Sequence, residues 1–310
     1  MKKINNRYKV MLGIFISLVC AFSILFYTRS CSQEITSIYS LKEAQTVLGS
    51  ADENTMIFFD VDDTLIVSEN KSFWSKNIIQ NQDFLYNLNS KTIYNPKNSK
   101  EKPTAYYRSI WKIREDPMLI ENDSAQIIRE LQTRGVKVLA CTALPAREDF
   151  LINYLPEWRF EKLKVVDIDF SASNVADAEL THLQDSNGGY TYHPILYKGI
   201  LCTGRLNKGV VIGQLLDTLG IKPTKIIFFD DSVKRVEEVK AEMCTRGIPF
   251  IGYEYKGEEL LVGDFDLAVV EFQMHYLVDH EEWLSEEKAR QKMMELEAGH
   301  EIFGQAAEIN

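Results

Sequence analysis

Residues 56–65 read Met-Ile-Phe-Phe-Asp-Val-Asp-Asp-Thr-Leu, an apolar run that closes in three acids. The apolar half predicts a buried strand, a setting typical of parallel sheets covered by helices on both faces. The acidic half predicts a constraint at the strand's end. Asp60 and Asp62 lie two apart, so an extended backbone points them the same way. Close carboxylates repel, and removing them from water is costly, so a chain that gathers them needs a compensating cation.

The rest of the chain repeats strand-then-helix units. Thr55–Val61 is the first expected strand. Glu121–Arg134 reads as a helix capped by Asn122, Asp123 or Ser124 and ended by Gly135. Val136–Cys141 is a short strand leading to Thr142. Lys208–Leu219 reads as a helix closed by Gly220, and Pro223 bars its continuation. Lys225–Phe229 is a strand running into Asp230 and Asp231. Val233, Val236, Val239 and Met243 mark one face of a helix that stops near Gly247. Pro249–Tyr253 and Asp266–Phe272 read as further strands. Asp279 to Glu282 reads as a capping box for a last, charged helix through about Glu297. Alternation of this kind predicts an α/β fold with a parallel sheet between helical layers.

Two stretches interrupt the alternation. Residues 67–118 are polar and aromatic, with Phe73, Trp74, Tyr106, Tyr107 and Trp111, and read as a mainly helical cap. Residues 146–204 form a second insertion, with a turn at Asn187-Gly188-Gly189 and a strand-like Ile195–Cys202. The domain expectation is a leader over 1–32, a core over 33–66 and 119–272, the cap over 67–118 and a helical tail over 273–310.

Charge and the leader narrow the class. The 310-residue chain carries a formal charge of −10. Residues 1–32 hold five bases (Lys2, Lys3, Arg7, Lys9, Arg29) and no acid, so the remainder carries −15. A body that acidic is a poor general binder of nucleic acid, and none is expected as a partner. Lys2, Lys3, Arg7 and Lys9 precede the apolar run Val10–Tyr27, the order of an export signal. The run is long for a cleaved signal and short for a spanning helix, so it reads equally as a signal peptide or a membrane anchor. The body is expected outside the cytoplasm: periplasmic, secreted or anchored. Cys141, Cys202 and Cys244 are far apart and have no metal spacing, which predicts buried thiols with at most one disulfide. The five histidines show no metal spacing either.

Carboxyl ends of strands in an open parallel sheet share one edge, where ligands bind. Asp60, Thr142, Lys208, Asp230 and Asp231 all fall at expected element ends and are predicted to converge there. Taken singly, each has a plain reading. Asp62-Asp63-Thr64 is also a turn or cap sequence, Thr142 a strand-end threonine, and Lys208 a surface lysine.

Taken in order they carry more. Phe59-Asp60-Val61-Asp62-Asp63-Thr64-Leu65, then Ala140-Cys141-Thr142-Ala143, then Asn207-Lys208-Gly209, then Phe228-Phe229-Asp230-Asp231-Ser232 resembles the four ordered motifs of the haloacid dehalogenase superfamily. The resemblance covers about residues 55–272. The run Asp60–Ser68 followed by Phe73-Trp74 is similar to secreted bacterial acid phosphatases of that superfamily. The second insertion departs from them and resembles instead an uncharacterised group of exported bacterial members.

The resemblance implies a Rossmann-like core and a set of roles. Asp60 would be the nucleophile, passing through an aspartyl-phosphate. Asp62 would protonate the leaving oxygen and then deprotonate water, with its backbone carbonyl facing a metal. Thr142 would hold phosphoryl oxygens, and Lys208 would neutralise charge on Asp60 and phosphate. Asp230 and Asp231 would join Asp60 in holding Mg2+. The implied activity is an exported, magnesium-dependent phosphomonoester phosphatase acting on a small-molecule phosphate ester. The alternatives are a phosphotransferase using the same intermediate, or a catalytically silent interaction protein at the cell surface.

Overall fold

The computed structural model describes residues 35–91, 104–187 and 190–307. The expected leader, residues 1–32, and the glycines of the Asn187-Gly188-Gly189 turn lie outside the described residues.

The centre is a mixed α/β arrangement around an eight-stranded, mostly parallel sheet. In chain order the strands are β1 (Thr36–Ile38), β2 (Thr55–Phe59), β3 (Ile66–Ser68), β4 (Pro117–Leu119), β5 (Lys137–Thr142), β6 (Ala178–Glu179), β7 (Asp185–Asn187), β8 (Tyr190–Tyr192), β9 (Ile195–Tyr197), β10 (Ile200–Cys202), β11 (Lys225–Asp230) and β12 (Phe250–Tyr255). The helices are α1 (Gln45–Gly49), α2 (Ser75–Gln80), α3 (Gln82–Lys91), α4 (Thr104–Arg114), α5 (Ser124–Thr133), α6 (Leu155–Val165), α7 (Lys208–Leu219), α8 (Val233–Arg246), α9 (Leu267–His280) and α10 (Glu286–Ala307). The sheet order is β1-β12-β11-β2-β5-β10-β9-β6. Its first six strands run parallel, and β9 and β6 add antiparallel at one end.

The period of two along each central strand sorts side chains between two cores. Ile57, Phe59, Val138, Ala140, Ile227 and Phe229 face one side with Ile128 and Leu131 of α5 and Leu163 of α6. Met56, Phe58, Leu139, Cys141, Ile226 and Phe228 face the other with α7 and α8. Phe229 stacks between Phe59 and Tyr253, at 4.6 and 4.8 Å between ring centroids, which locks the three neighbouring strands on one face. Cys141 and Cys202 are buried free thiols, and Cys244 is disulfide-bonded.

The cap rises on a two-stranded antiparallel stem, β3 with β4, which pairs Ile66 with Leu119. Its own core gathers Leu88, Tyr107, Ile110, Val270, Met274, Leu277 and Trp283. Four of these come from residues 270–283, so α9 and the turn after it are part of the cap's packing. The expected boundary at residue 272 falls inside that helix.

Three expectations are corrected here. Asp266–Phe272 is the start of a helix, not a strand. Asp266 is its N-cap and accepts from the Ala268 N–H at 3.0 Å. The buried residues Val270, Met274 and Leu277 repeat at helical spacing, and packing on the cap overrides the β-branched local composition. Asp279–Glu282 is not a capping box, because Asp279 lies within α9 and Glu281 ends it in the left-handed region (φ 55°). Ile195–Cys202 is not one strand. Lys198 and Gly199 have φ of 47° and 79° and fold it into the β9–β10 hairpin. The helix α6 was not foreseen.

The packing of α7 on α8 leaves no room at Gly209. A Cβ there would meet the Glu238 carbonyl oxygen at 2.2 Å, a backbone atom that cannot swing aside. Gly209→Ala is expected to cost about 1–3 kcal/mol, the range of overpacked cores, read as a lowered urea midpoint with the slope unchanged.

Candidate functional site

Three parallel strands, β2, β5 and β11, deliver their last residues to one edge of the sheet. The register pairs Phe59 with Ala140 and with Phe229. Asp60 therefore follows directly on the central strand, and its N–H extends the ladder to the Phe229 carbonyl at 2.8 Å. Asp230 ends β11, and Thr142 ends β5 two residues beyond Ala140. All three are buried.

Lys208 enters this edge from the first turn of α7. Asn207 caps the helix by accepting from the Val210 N–H at 3.0 Å. The Lys208 ammonium, itself 2% exposed, donates to Asp60 Oδ1 and to Asp230 Oδ2, each at 2.7 Å. A lysine reaching two carboxylates inside a core is no solvated surface residue. Burial pulls its proton off, but Asp60 and Asp230 outweigh burial and hold the ammonium well above lysine's ordinary value.

Even so, one ammonium does not balance this cluster. Carboxylate oxygens of Asp60, Asp230 and Asp231 all lie within 4.8 Å of one another. Burial first, then Asp60, pushes Asp230 up to about 7 against the pull of Lys208. Burial and the charges of Asp60 and Asp230 push Asp231 the same way, although solvent at its exposed face screens part of that rise. Three oxygen ligands from three acids, with an excess of negative charge, suit a hard divalent cation.

The loop between Asp60 and β3 is closely tied. Leu65 and Ile66 both donate to the Val61 carbonyl, at 2.9 and 3.1 Å. Asp63 sits in the left-handed region (φ 59°), where aspartate is among the tolerated residues. It accepts from the Ser75 hydroxyl at 2.6 Å, which joins the loop to the cap helix α2. Burial raises Asp63 to about 6, opposed by the Ser75 bond and helped by Glu258 and Asp62. The Thr64 hydroxyl receives the Asp231 N–H at 3.0 Å, tying the first acidic segment to the last.

Asp62 stands apart from the trio. Its side chain is 59% exposed, and its Oδ2 accepts from Arg159 Nη2 at 2.8 Å. The metal role expected of Asp62 used its backbone carbonyl, so the side chain is free to pair elsewhere. Thr142 reaches the right edge, and its carbonyl accepts from the Thr203 N–H and hydroxyl at 2.9 and 3.0 Å. Sequence reasoning missed Arg159, which is buried and arrives on α6. A single arginine in a charged helix of mixed pattern gave no signal.

The chain belongs to the family described as "Protein of unknown function (DUF2608)", which matches residues 37–290. It is similar to the uncharacterized protein RP296 of Rickettsia prowazekii (strain Madrid E), 26% identical over 292 residues that cover 93% of this chain and 98% of that protein. It is also similar to a Chlamydia pneumoniae protein described as "Putative outer membrane protein", 24% identical over 226 residues, 70% of this chain and 77% of that one. No solved structure matches the chain at a significant level. Among the described residues, no helix is long and apolar enough to cross a membrane.

The raised carboxyls make stability depend on pH. A carboxyl lifted above its unfolded value of 3.8 keeps a proton in the folded chain where the unfolded chain has released it. Stability therefore falls as pH rises from about 4 through the folded values of about 6 for Asp63 and about 7 for Asp230. The raised Lys208 changes nothing in that window, since its stabilisation is present at every pH below lysine's unfolded value. In EDTA the melting temperature is expected to be lower near pH 8 than near pH 5. Magnesium is expected to raise it more at the higher pH. A flat profile, or equal gains from magnesium at both, would contradict the assignment of these acids.

Proposed function

We propose that this chain is an exported, magnesium-dependent phosphomonoester phosphatase with a core of the haloacid dehalogenase type. The observation that carries the reading is the bridge of Lys208 between Asp60 and Asp230 at one strand edge, with Asp231 beside them. Lysine between two acids is what a site needs if one acid is a nucleophile and the incoming group is an anion.

In this reading the Asp60 carboxylate attacks phosphorus and the bond to the ester oxygen breaks. Asp62 gives its proton to that oxygen as the alcohol leaves. It then takes a proton from the water that attacks the aspartyl-phosphate, and Asp60 and inorganic phosphate are released. Arg159 holds the Asp62 side chain in one direction through both halves. Lys208 holds Asp60 aligned through its hydrogen bond and offsets phosphate charge, and Thr142 lies at the edge where phosphoryl oxygens would settle. The donor set of Asp60, Asp230 and Asp231 fits magnesium, which when bound would neutralise charge on the transferring phosphoryl group.

Export rests on two observations. Four basic residues precede the apolar run at the N-terminus. The Chlamydia relative's description places that protein in an outer membrane.

The test is Asp60→Asn, which keeps shape and removes the nucleophile. Phosphate release from an aryl phosphate is expected to fall on the order of a thousandfold or more, with the melting temperature near that of the parent. EDTA is expected to abolish release and added magnesium to restore it. Undiminished turnover by Asp60→Asn would remove Asp60 as nucleophile.

A further inference from the structure

The chain leaves β10 through the turn Thr203-Gly204-Arg205, just before Lys208. This turn lies on the same sheet edge as the acids. Thr203 donates its N–H to the Thr142 carbonyl at 2.9 Å, and Gly204 donates to the Leu144 carbonyl at 3.1 Å. β10 stands two strands from β2. At the usual strand spacing its end is about 10 Å from the end of β2 across the edge.

The turn is fixed from outside by the β7–β8 hairpin of the second insertion. Asp185 and Tyr192 face each other across that hairpin. The buried Asp185 accepts on Oδ2 from the Arg205 N–H and from the Tyr192 hydroxyl, each at 2.7 Å. Gly204 has φ 61°, and a Cβ there would meet Asp185 Oδ2 and the Tyr192 ring, both at 2.7 Å. The backbone from which Arg205 projects is therefore held tightly, while its side chain is exposed. That guanidinium makes no hydrogen bond or ion pair among the described residues. A second guanidinium stands near it. Arg147 lies in the loop after β5, where its carbonyl accepts from the Leu155 N–H at 2.9 Å. Burial first, then the bond and charge of Asp185, pushes the Tyr192 hydroxyl up to about 12, and Arg147 and Arg205 are the charges that oppose the rise. Around that one hydroxyl, two arginines stand against the single carboxylate of Asp185.

We infer that Arg205, with Arg147 beside it, receives a second oxyanion on the substrate, a carboxylate or a phosphate remote from the reacting phosphoryl group. The inference rests on the phosphatase reading, in which the reacting group sits at Asp60. The body carries −15, and such a field repels anions unless a local cation meets them. Lys208 and the three acids with their cation are committed to the reacting group. Arg205 lies farther along the same edge, on a backbone that does not give way. A guanidinium fork matches the oxygen pairs of carboxylate and phosphate. Substrates bearing another negative charge are thereby selected over neutral or cationic esters, and Arg205 and Arg147 are specificity residues.

The test uses the full-length protein with magnesium and phosphonates, which are not hydrolysed, in isothermal titration. The probes are benzylphosphonate and its para-carboxymethyl, para-phosphonomethyl and para-aminomethyl derivatives. The carboxymethyl or the phosphonomethyl derivative is expected to bind about tenfold tighter than benzylphosphonate, the scale of one charge-assisted hydrogen bond. The one that gains identifies the oxyanion. The aminomethyl derivative is expected to bind no tighter than benzylphosphonate. Arg205→Gln, at an exposed position, is expected to erase the gain. Lys222→Gln removes the same charge from the exposed loop before β11, at the opposite edge of the sheet, and is expected to keep it. Equal affinity of the parent protein for all four probes would overturn the subsite without any variant having to fold. So would a gain that survives Arg205→Gln, or one that Lys222→Gln also erases, which would assign it to net charge. Phosphate release from phenyl phosphate is measured separately. Selective binding without turnover overturns the hydrolytic reading alone, and turnover without selectivity among the phosphonates overturns the subsite alone.

Discussion

The Lys208 ammonium, shared between Asp60 and Asp230 inside the sheet edge, is the interaction on which the rest of the site depends. Two carboxylates ending adjacent parallel strands would repel across a short gap with little water to screen them. Removing the Lys208 amine, which leaves two buried carboxylates without their counter-charge, would cost about 3–5 kcal/mol, the range for a broken buried pair. The surrounding structure serves to deliver that one amine. Asn207 caps α7 so that Lys208 stands in its first turn, and the Lys208 N–H is held by Glu238 Oε2 at 3.1 Å. Gly209 then lets α7 lie directly against the backbone of α8. Helix packing on the far side of the sheet thus sets the position of a charge at its rim.

The same rim is fastened from the cap side by different bonds. Ser75 reaches Asp63, and Lys112 of α4 pairs with Asp149 in the loop that follows β5. Lys162 of α6 reaches back to Asp116 beside the stem. These ties cross between cap and core around Asp62, while the trio of acids lies deeper. The arrangement separates two tasks. The buried acids and lysine manage fixed charge, and the outer layer of indoles, lysines and Arg159 shapes what stands next to Asp62.

Much of the core could be read from the sequence because its signals are local. The apolar runs Met56–Phe59 and Ile226–Phe229 are buried on both faces. Lys208–Leu219 begins after an Asn cap and ends at a glycine with φ 65°, as the sequence implied. Asp60, Lys208 and Asp230 come together because parallel strands must share an edge, a topological rule that needs no detailed contacts. What could not be read depended on partners distant in the chain. Asp266–Phe272 carries strand-like composition, and only contact with Leu88, Tyr107 and Ile110 decides for helix. Arg159 acquires meaning only because α6 places it against Asp62, ninety-seven residues away.

In the proposed reading, that distinction bears on where substrate choice would reside. The residues that could be foreseen, Asp60, Lys208, Asp230 and Asp231, are those the proposed phosphoryl chemistry would require. Trp111, Trp158 and Arg159 come from two separate insertions. The wall next to Asp62 exists only when α4 of the cap and α6 of the second insertion close on the stem strands β3 and β4. A change in either insertion would therefore alter the same small space while leaving the Asp60–Lys208–Asp230 bridge untouched. An acidic cluster fixed by the sheet edge and a cavity wall assembled from two insertions can then vary independently, which is why the first was legible in short motifs and the second was not.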